Sequence, residues 1–203
     1  MKAIIICLAL LPCVSFAGTA PVRSEIPAPA PSAFSAAMDA ELNKVEDQFL
    51  AAAEAMPEDK FNFSPESLNV PGSELKGVRT FAMQVKHVAA DNFAIWAPLT
   101  GKPEPQGIHA PNGPAELKSR TDILKFLEDS IAYSHHAVAG LTAENSLDLV
   151  EFRGSKVTRI SLVVLALTHM NNHYGQLVEY LRLSGIVPPA SRRQAPPAPK
   201  PVK

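Results

Sequence analysis

The chain predicts an all-α fold, an antiparallel four-helix bundle, on three observations. Apolar residues recur at steps of three and four in four separate segments. Strand-like alternation is almost absent, apart from a short ambiguous stretch around Leu147 to Phe152. The composition, 203 residues with 46% hydrophobic and 19% charged, suits one globular domain plus tails. Four amphipathic helices that each bury one face are the economical way to close such a core.

Met1-Lys2 is a short positive start, Ala3 to Leu11 is unbroken apolar, and Ser15-Phe16-Ala17 reads as a small-x-small cleavage site. Residues 1–17 are therefore expected to be a secretory signal peptide, too short in its apolar run to span a bilayer. Export to the periplasm, or secretion, follows as the expected localisation. Cys7 and Cys13 lie inside this segment, so the mature domain is expected to have no disulfide and no thiolate ligand. Leu10-Leu11-Pro12-Cys13 loosely resembles a lipoprotein box, although proline before the cysteine fits that alternative poorly.

Residues 18–33 read as an Ala/Pro-rich linker with Pro21, Pro27, Pro29 and Pro31, and 188–203 as a Pro-rich basic tail with Arg192, Arg193, Lys200 and Lys203. Both have too little apolar surface to offset the entropy of ordering. The folded domain is expected over 34–187.

The first helix is expected to start near Ser35 and to bury Met38, Leu42, Val45, Phe49, Ala53 and Met56 before Pro57. The second follows Pro71-Gly72-Ser73, carries the stripe Val78, Phe81, Val85, Val88, Ile95 and Trp96, and ends at Pro98. The third opens with the capping-box-like Ser119-Arg120-Thr121-Asp122, and Ile123, Leu127, Ile131, Ser134, Val138 and Leu141 share its inner face. The fourth runs from about Thr158 to Ser184, with Gly185 as C-terminal cap and Pro188 forbidding resumption. The loop from Lys102 to Pro114 is rich in Pro and Gly.

A formal net charge of −1 leaves no basic surplus to neutralise a phosphate backbone, so nucleic acid is excluded as the main partner. No segment after the signal is a candidate transmembrane span. The chemistry candidates are the histidines, six in number: His87, His109, His135, His136, His169 and His173. His169-Met170-Asn171-Asn172-His173 sets two imidazoles at i, i+4 on one helical face, within reach of one metal. Leu162, Leu165, Ala166, Gln176, Tyr180 and Leu183 share that arc, so the pair points at the core. Two core imidazoles need partners. The spacing and the inward face are equally compatible with a hydrogen-bonded core pair and with a metal site. His87 is the best third ligand, off the apolar stripe of its helix and beside Met83, Ala90, Asp91 and Ala94, the edge of a cleft on one reading and a solvent boundary on the other. Asp91, one turn on, is a candidate to orient its ring. His135 and His136 read as surface residues, and His109 as a loop residue without assignment.

No His-Glu-x-x-His, Glu-x-x-His, Cys-x-x-Cys-His, Gly-rich phosphate loop or Gly-x-Ser-x-Gly is present. What remains is a mononuclear site of three neutral nitrogens with an open position, the layout of a catalytic site rather than a closed structural one.

The end of the fourth helix reads His169-Met-Asn-Asn-His173-Tyr-Gly175-Gln176-Leu177-Val-Glu-Tyr180-Leu181-Arg182-Leu-Ser-Gly185-Ile-Val-Pro188-Pro189. It resembles the C-terminal signature of the DinB-like superfamily: His-x3-His, Gly-Gln-Leu, Tyr-Leu-Arg, a glycine and prolines. Gln84-Val85-Lys86-His87-Val88-Ala89 resembles the family's second-helix histidine segment, and Thr158-Arg159 the opening of its last helix. The resemblance extends from about Phe34 to Pro189, looser in the first and third helices. It implies a four-helix bundle with a divalent metal on three histidines, carried over by motif to His87, His169 and His173. Zinc is the first expectation, nickel or iron the alternatives. It also implies thiol S-transferase chemistry with bacillithiol, mycothiol or glutathione, or a mycothiol-dependent isomerisation, and a tendency to form homodimers. Two features depart from the family. Tyr174 stands where many members have arginine, and an exported chain would leave the mainly cytosolic low-molecular-weight thiols behind.

Three functional readings follow. The first is an exported metal-dependent enzyme, a thiol transferase or hydrolase acting on a small molecule, with Asp91, Gln176 and Tyr180 as candidates to orient groups around the metal. The second is a non-catalytic metal-binding or stress-related bundle. The third is an interaction bundle whose polar core needs no metal.

Overall fold

A computed structural model of the chain describes residues 31–192. The expected signal peptide, the expected linker up to Ala30 and the tail beyond Arg192 lie outside the described residues. Four long helices form, α1 (Ala33–Ala55), α2 (Phe81–Thr100), α3 (Arg120–Ala139) and α4 (Arg159–Leu183). A small hairpin of β1 (Leu149–Phe152) and β2 (Ser155–Thr158) precedes α4.

The helix ends follow local capping chemistry. Ser32, three residues before the expected cap, accepts the Ser35 amide at 2.9 Å, and Ser35 itself is buried in the first turn. Thr80 caps α2 through the Met83 amide, so that helix starts after Val78. It also runs past Pro98 to Thr100 and stops at Gly101, in left-handed geometry. Proline only one turn from the C-terminus removes a single hydrogen bond, which the helix tolerates. Ser119 accepts the Asp122 amide and donates to the Asp122 carboxylate at 2.6 Å. Thr158 caps α4. At the other end of α4, Ile186 N–H bonds Leu181 O and Gly185 N–H bonds Arg182 O, with Gly185 at φ +77°, a Schellman closure.

Two buried clusters give the helix directions. One joins Phe49 and Met56 late in α1, Phe81 and Val85 early in α2, Ile123 and Leu127 early in α3, and Leu177 and Leu181 late in α4. The other joins Leu42, Ile95 and Trp96, Val138, and Leu162 at the opposite helix ends. Thus α1 and α4 run one way and α2 and α3 the other. α2 packs against α3 and α4, and α1 against the same two helices. Because α2 and α3 run parallel as neighbours, the segment joining them must return along the bundle. It does so over α2: Ile108 joins Ala90, Phe93 and Ala94 in a third cluster, and Gly113 sits on the Lys86 backbone. This covering segment buries α2 on nearly every side, Ala90 and Ala94 included.

The ambiguous stretch near Leu147 resolves as the β1–β2 hairpin, paired Leu149 to Thr158 and Phe152 to Ser155. Arg153 (φ +48°) and Gly154 (φ +78°) form its two-residue turn, both at the positive φ that a type I′ turn requires. Val150, Phe152 and Val157 pack on the second cluster. Beyond the expected end of the domain, Pro188 is buried and Pro189–Ser191 forms a 3-10 turn against α1, so the first residues assigned to the tail belong to the bundle. Among the described residues no helix is long and apolar enough to cross a membrane.

Candidate metal centre

His87 stands on the second turn of α2, and His169 and His173 on either side of the middle of α4, where these helices pack together. Each imidazole offers one nitrogen to a common point, and the three nitrogens lie within 4.8 Å of one another. His87 Nε2 and His169 Nε2 are 3.3 Å apart. Two ligands of one tetrahedral zinc stand about 3.3 Å apart when each nitrogen–metal bond is about 2.0–2.1 Å. His173 is 6% exposed, while the His87 and His169 side chains keep 15% and 17%, so the group is largely but not wholly buried. The inward arc of α4 is narrower than its wheel suggests, since Leu165 and Leu183 face outward.

The electrostatics keep the donors neutral. Burial is the main cause that lowers all three pKa values, taking His173 to about 3. Arg79 adds to the lowering at His87, while Asp91 and the Pro111 carbonyl oppose it. At His169, Asp91 opposes burial and the His87 ring reinforces it.

The other candidates fall as follows. His173 Nδ1 donates to Gln84 Oε1 at 2.7 Å, which leaves its Nε2 with the lone pair a metal needs. Gln84 Nε2 donates in turn to Gln176 Oε1 at 2.7 Å, so Gln176 reaches the histidines only through Gln84. Asp91 does not sit behind the His87 ring. Its Oδ2 lies 3.2 Å from His169 Nε2 and 3.9 Å from His87 Nε2, on the ligating side. Its Oδ1 accepts from Arg153 at 3.0 Å. Tyr180 donates to the Arg79 carbonyl at 2.9 Å and packs edge-on to Phe63, tying α2's lead-in to α4 rather than touching the three rings.

His109 is an exposed loop residue 2.8 Å from Glu104, and His136 is exposed. His135 is not a plain surface residue. Its ring bridges α3 to α1, 2.6 Å from Asp39 and 2.9 Å from the buried Glu46. The surface reading of His135 rests on its own helix and is blind to the acids opposite. Gln84 and Arg153 are residues that sequence reasoning missed. Gln84 sits three residues before His87, a spacing that puts both on one face, and this was the available signal for it.

The arrangement fits a divalent cation. Three neutral imidazoles converge, one has its tautomer fixed by a buried amide, and a carboxylate stands beside the ligating atoms.

A family model of the DinB superfamily matches residues 41–177. The chain belongs to the DinB superfamily. Among solved structures, a DinB-like protein from Bacillus subtilis superposes with a TM-score of 0.55 at 18% identity, covering 77% of this chain and 99% of that one. A DinB-like protein from Bacillus cereus gives a TM-score of 0.55 at 15% identity over 77% of this chain and 93% of its own. At these identities the likeness shows the fold. No curated protein matches the chain.

Proposed function

We propose that this DinB superfamily protein is a metal-dependent enzyme acting outside the cytoplasm on a small molecule, by thiol transfer or hydrolysis. The observation that carries this reading is the convergence of His87, His169 and His173, with Asp91 beside them, where His87 and Asp91 line a cleft of about 290 Å³. Three imidazoles suit zinc first, with nickel and iron as the other expectations. Such a cation would supply Lewis acidity, lowering the pKa of a water or thiol brought to it. Asp91 is the acceptor placed to take that proton, and Arg153 fixes the carboxylate through its other oxygen. Gln84 holds the His173 ring at its one productive rotation.

The test is metal content by elemental mass spectrometry on tag-free mature protein, beside a His169→Ala/His173→Ala double variant. Near one equivalent of a divalent metal, lost in the variant, supports the reading and directs a turnover screen with thiols plus electrophiles and with hydrolysable esters and amides. Metal without turnover favours a non-catalytic metal-binding bundle. No metal after reconstitution overturns both.

A further inference from the structure

We propose that the cleft lined by His87 and Asp91, at the edge of the three-histidine group, takes a small-molecule substrate bearing a carboxylate, and that Arg153 at the hairpin tip is the residue that receives it. The proposal rests on the metal-centre reading above and adds the substrate class.

The cleft is lined by His87, Asp91, Arg79 and Arg153, with the Ala110–Pro111 segment as its outer wall. Among its lining residues the permanent charges are two guanidiniums against one carboxylate, and His109 on the same lining stands 2.8 Å from Glu104 on the neighbouring rim. With neutral imidazoles and a dication the surplus grows, and a low-dielectric wall focuses it.

The two arginines differ in how they are spent. Arg79 is half-buried and engaged, its Nε on Asn112 Oδ1 at 2.9 Å and an Nη on the Pro111 carbonyl at 3.2 Å. It holds the outer wall. Arg153 is 59% exposed, and its one hydrogen bond among the described residues goes to Asp91. Its guanidinium lies 5.0 Å over the Phe152 ring, which steers it toward the cleft without using its N–H groups. The planar fork that suits a carboxylate bidentately therefore keeps donors in reserve. The carboxylate it now holds, Asp91, demonstrates that this position accepts that group.

The backbone makes the same point independently. Arg153 is at φ +48°, in a turn position where Asn, Asp or Gly is the usual occupant. A long side chain there is an uncommon choice that costs stability, and such strain collects at functional positions. An asparagine would have closed the hairpin equally well and left the cleft without its exposed cation.

The rival role, in which Arg153 only neutralises Asp91, makes a different prediction. Full-length mature protein loaded with cobalt(II) would be titrated with 3-mercaptopropionate and with its uncharged amide, reading the sulfur-to-cobalt charge-transfer band. One charge-assisted hydrogen bond gives the acid a preference of about tenfold or more over the amide. Arg153→Gln reduces that preference to within about twofold, read as the ratio of acid to amide affinity in the same variant, and Arg153→Lys retains part of it. Asp91→Asn, which removes the competing internal carboxylate, raises the ratio of acid to amide affinity. Equal affinities in the unaltered protein, or a preference that survives Arg153→Gln, overturn the proposal while the metal centre stands. So does a cobalt-loaded protein that shows a charge-transfer band with neither thiol. Failure to bind cobalt at all overturns the metal centre and the proposal with it.

Discussion

His173 Nδ1 lies 2.7 Å from Gln84 Oε1, across the α2–α4 seam, and both side chains are buried. The amide oxygen can only accept, so the ring proton must sit on Nδ1 and the lone pair on Nε2. Without Gln84 the ring is free to rotate and to adopt the other tautomer. Gln84→Ala is expected to weaken metal binding about 10- to 100-fold, the usual effect of losing a partner behind a ligand. Competition with a chromophoric chelator measures it. An unchanged affinity would show that His173 is oriented by packing alone.

Acid should strip the metal later than an exposed three-histidine site would allow. Ligation needs neutral imidazoles, and in water those begin to charge near pH 6.5. Burial lowers the pKa of all three here, His173 to about 3. Proton competition is therefore displaced downward, and metal retention should stay flat through pH 6.5 and fall at lower pH. The same burial acts on the metal-free protein with a definite sign. A histidine whose folded pKa is depressed contributes stability that is full above its unfolded pKa and is lost progressively as pH falls from that value toward and through the folded one. The apo protein should lose melting temperature below pH 6.5, and His173→Gln should flatten that loss.

Glu46 titrates in the opposite direction. It is 3% exposed on α1, accepts from Ser134 at 2.5 Å, and has its Oε2 2.9 Å from His135 Nε2 but out of line for a hydrogen bond. Burial raises its pKa from 4.5 to about 7, against the lowering by Ser134 and His135, while Asp39 and Asp47 reinforce the rise. The folded state thus holds a proton that the unfolded chain releases. Its stability contribution is full below pH 4.5, declines between 4.5 and about 7, and stays low above. The loss is roughly 3 kcal/mol at most. Glu46→Gln should therefore gain stability relative to the unaltered protein at pH 8 and gain little at pH 5. Denaturant unfolding of the pair at both values checks this, and a pH-independent difference would refute it.

Much of this was legible beforehand, for identifiable reasons. The helices announce themselves through residues such as Leu127 and Val138, whose burial depends only on the period of their own helix. The i, i+4 pair His169 and His173 is legible for the same reason, and His87 was legible from its place off the apolar stripe of its own helix, the residue that the family resemblance also implied. What stayed hidden depends on distant partners. His135 meets Asp39 and Glu46 from another helix, so its own wheel could not reveal a bridge. Asp91 was placed behind His87 because i+4 spacing gives a face but not the direction in which a short carboxylate turns. Arg153 was invisible because β2 is mostly polar and had no alternation to mark the turn. Helix boundaries moved for local reasons: Ser32, not Ser35, had a free amide to cap, and Pro98 fell too near a helix end to break it.

The return segment over α2 gives a further test. Gly113 sits at φ +69°, and a Cβ there would lie 2.8 Å from the Lys86 carbonyl oxygen. Both the backbone angle and the contact exclude a side chain, and the neighbour is helix backbone, which cannot yield. Lys86 is itself fixed, its buried Nζ donating to the Pro114 and Leu117 carbonyls at 3.0 and 3.1 Å. Gly113→Ala should therefore lift this segment rather than shift Lys86, at a cost of about 1–3 kcal/mol. The segment also carries Pro111, whose carbonyl faces His87 and holds Arg79. The substitution should thus expose the metal centre as well as destabilise the bundle, and the two effects separate experimentally. Hydrogen exchange of the Ala110 and Gly113 amides reports the opening locally, and denaturant unfolding reports it globally. Protection unchanged at those amides, with stability intact, would mean that the segment is not what seals α2.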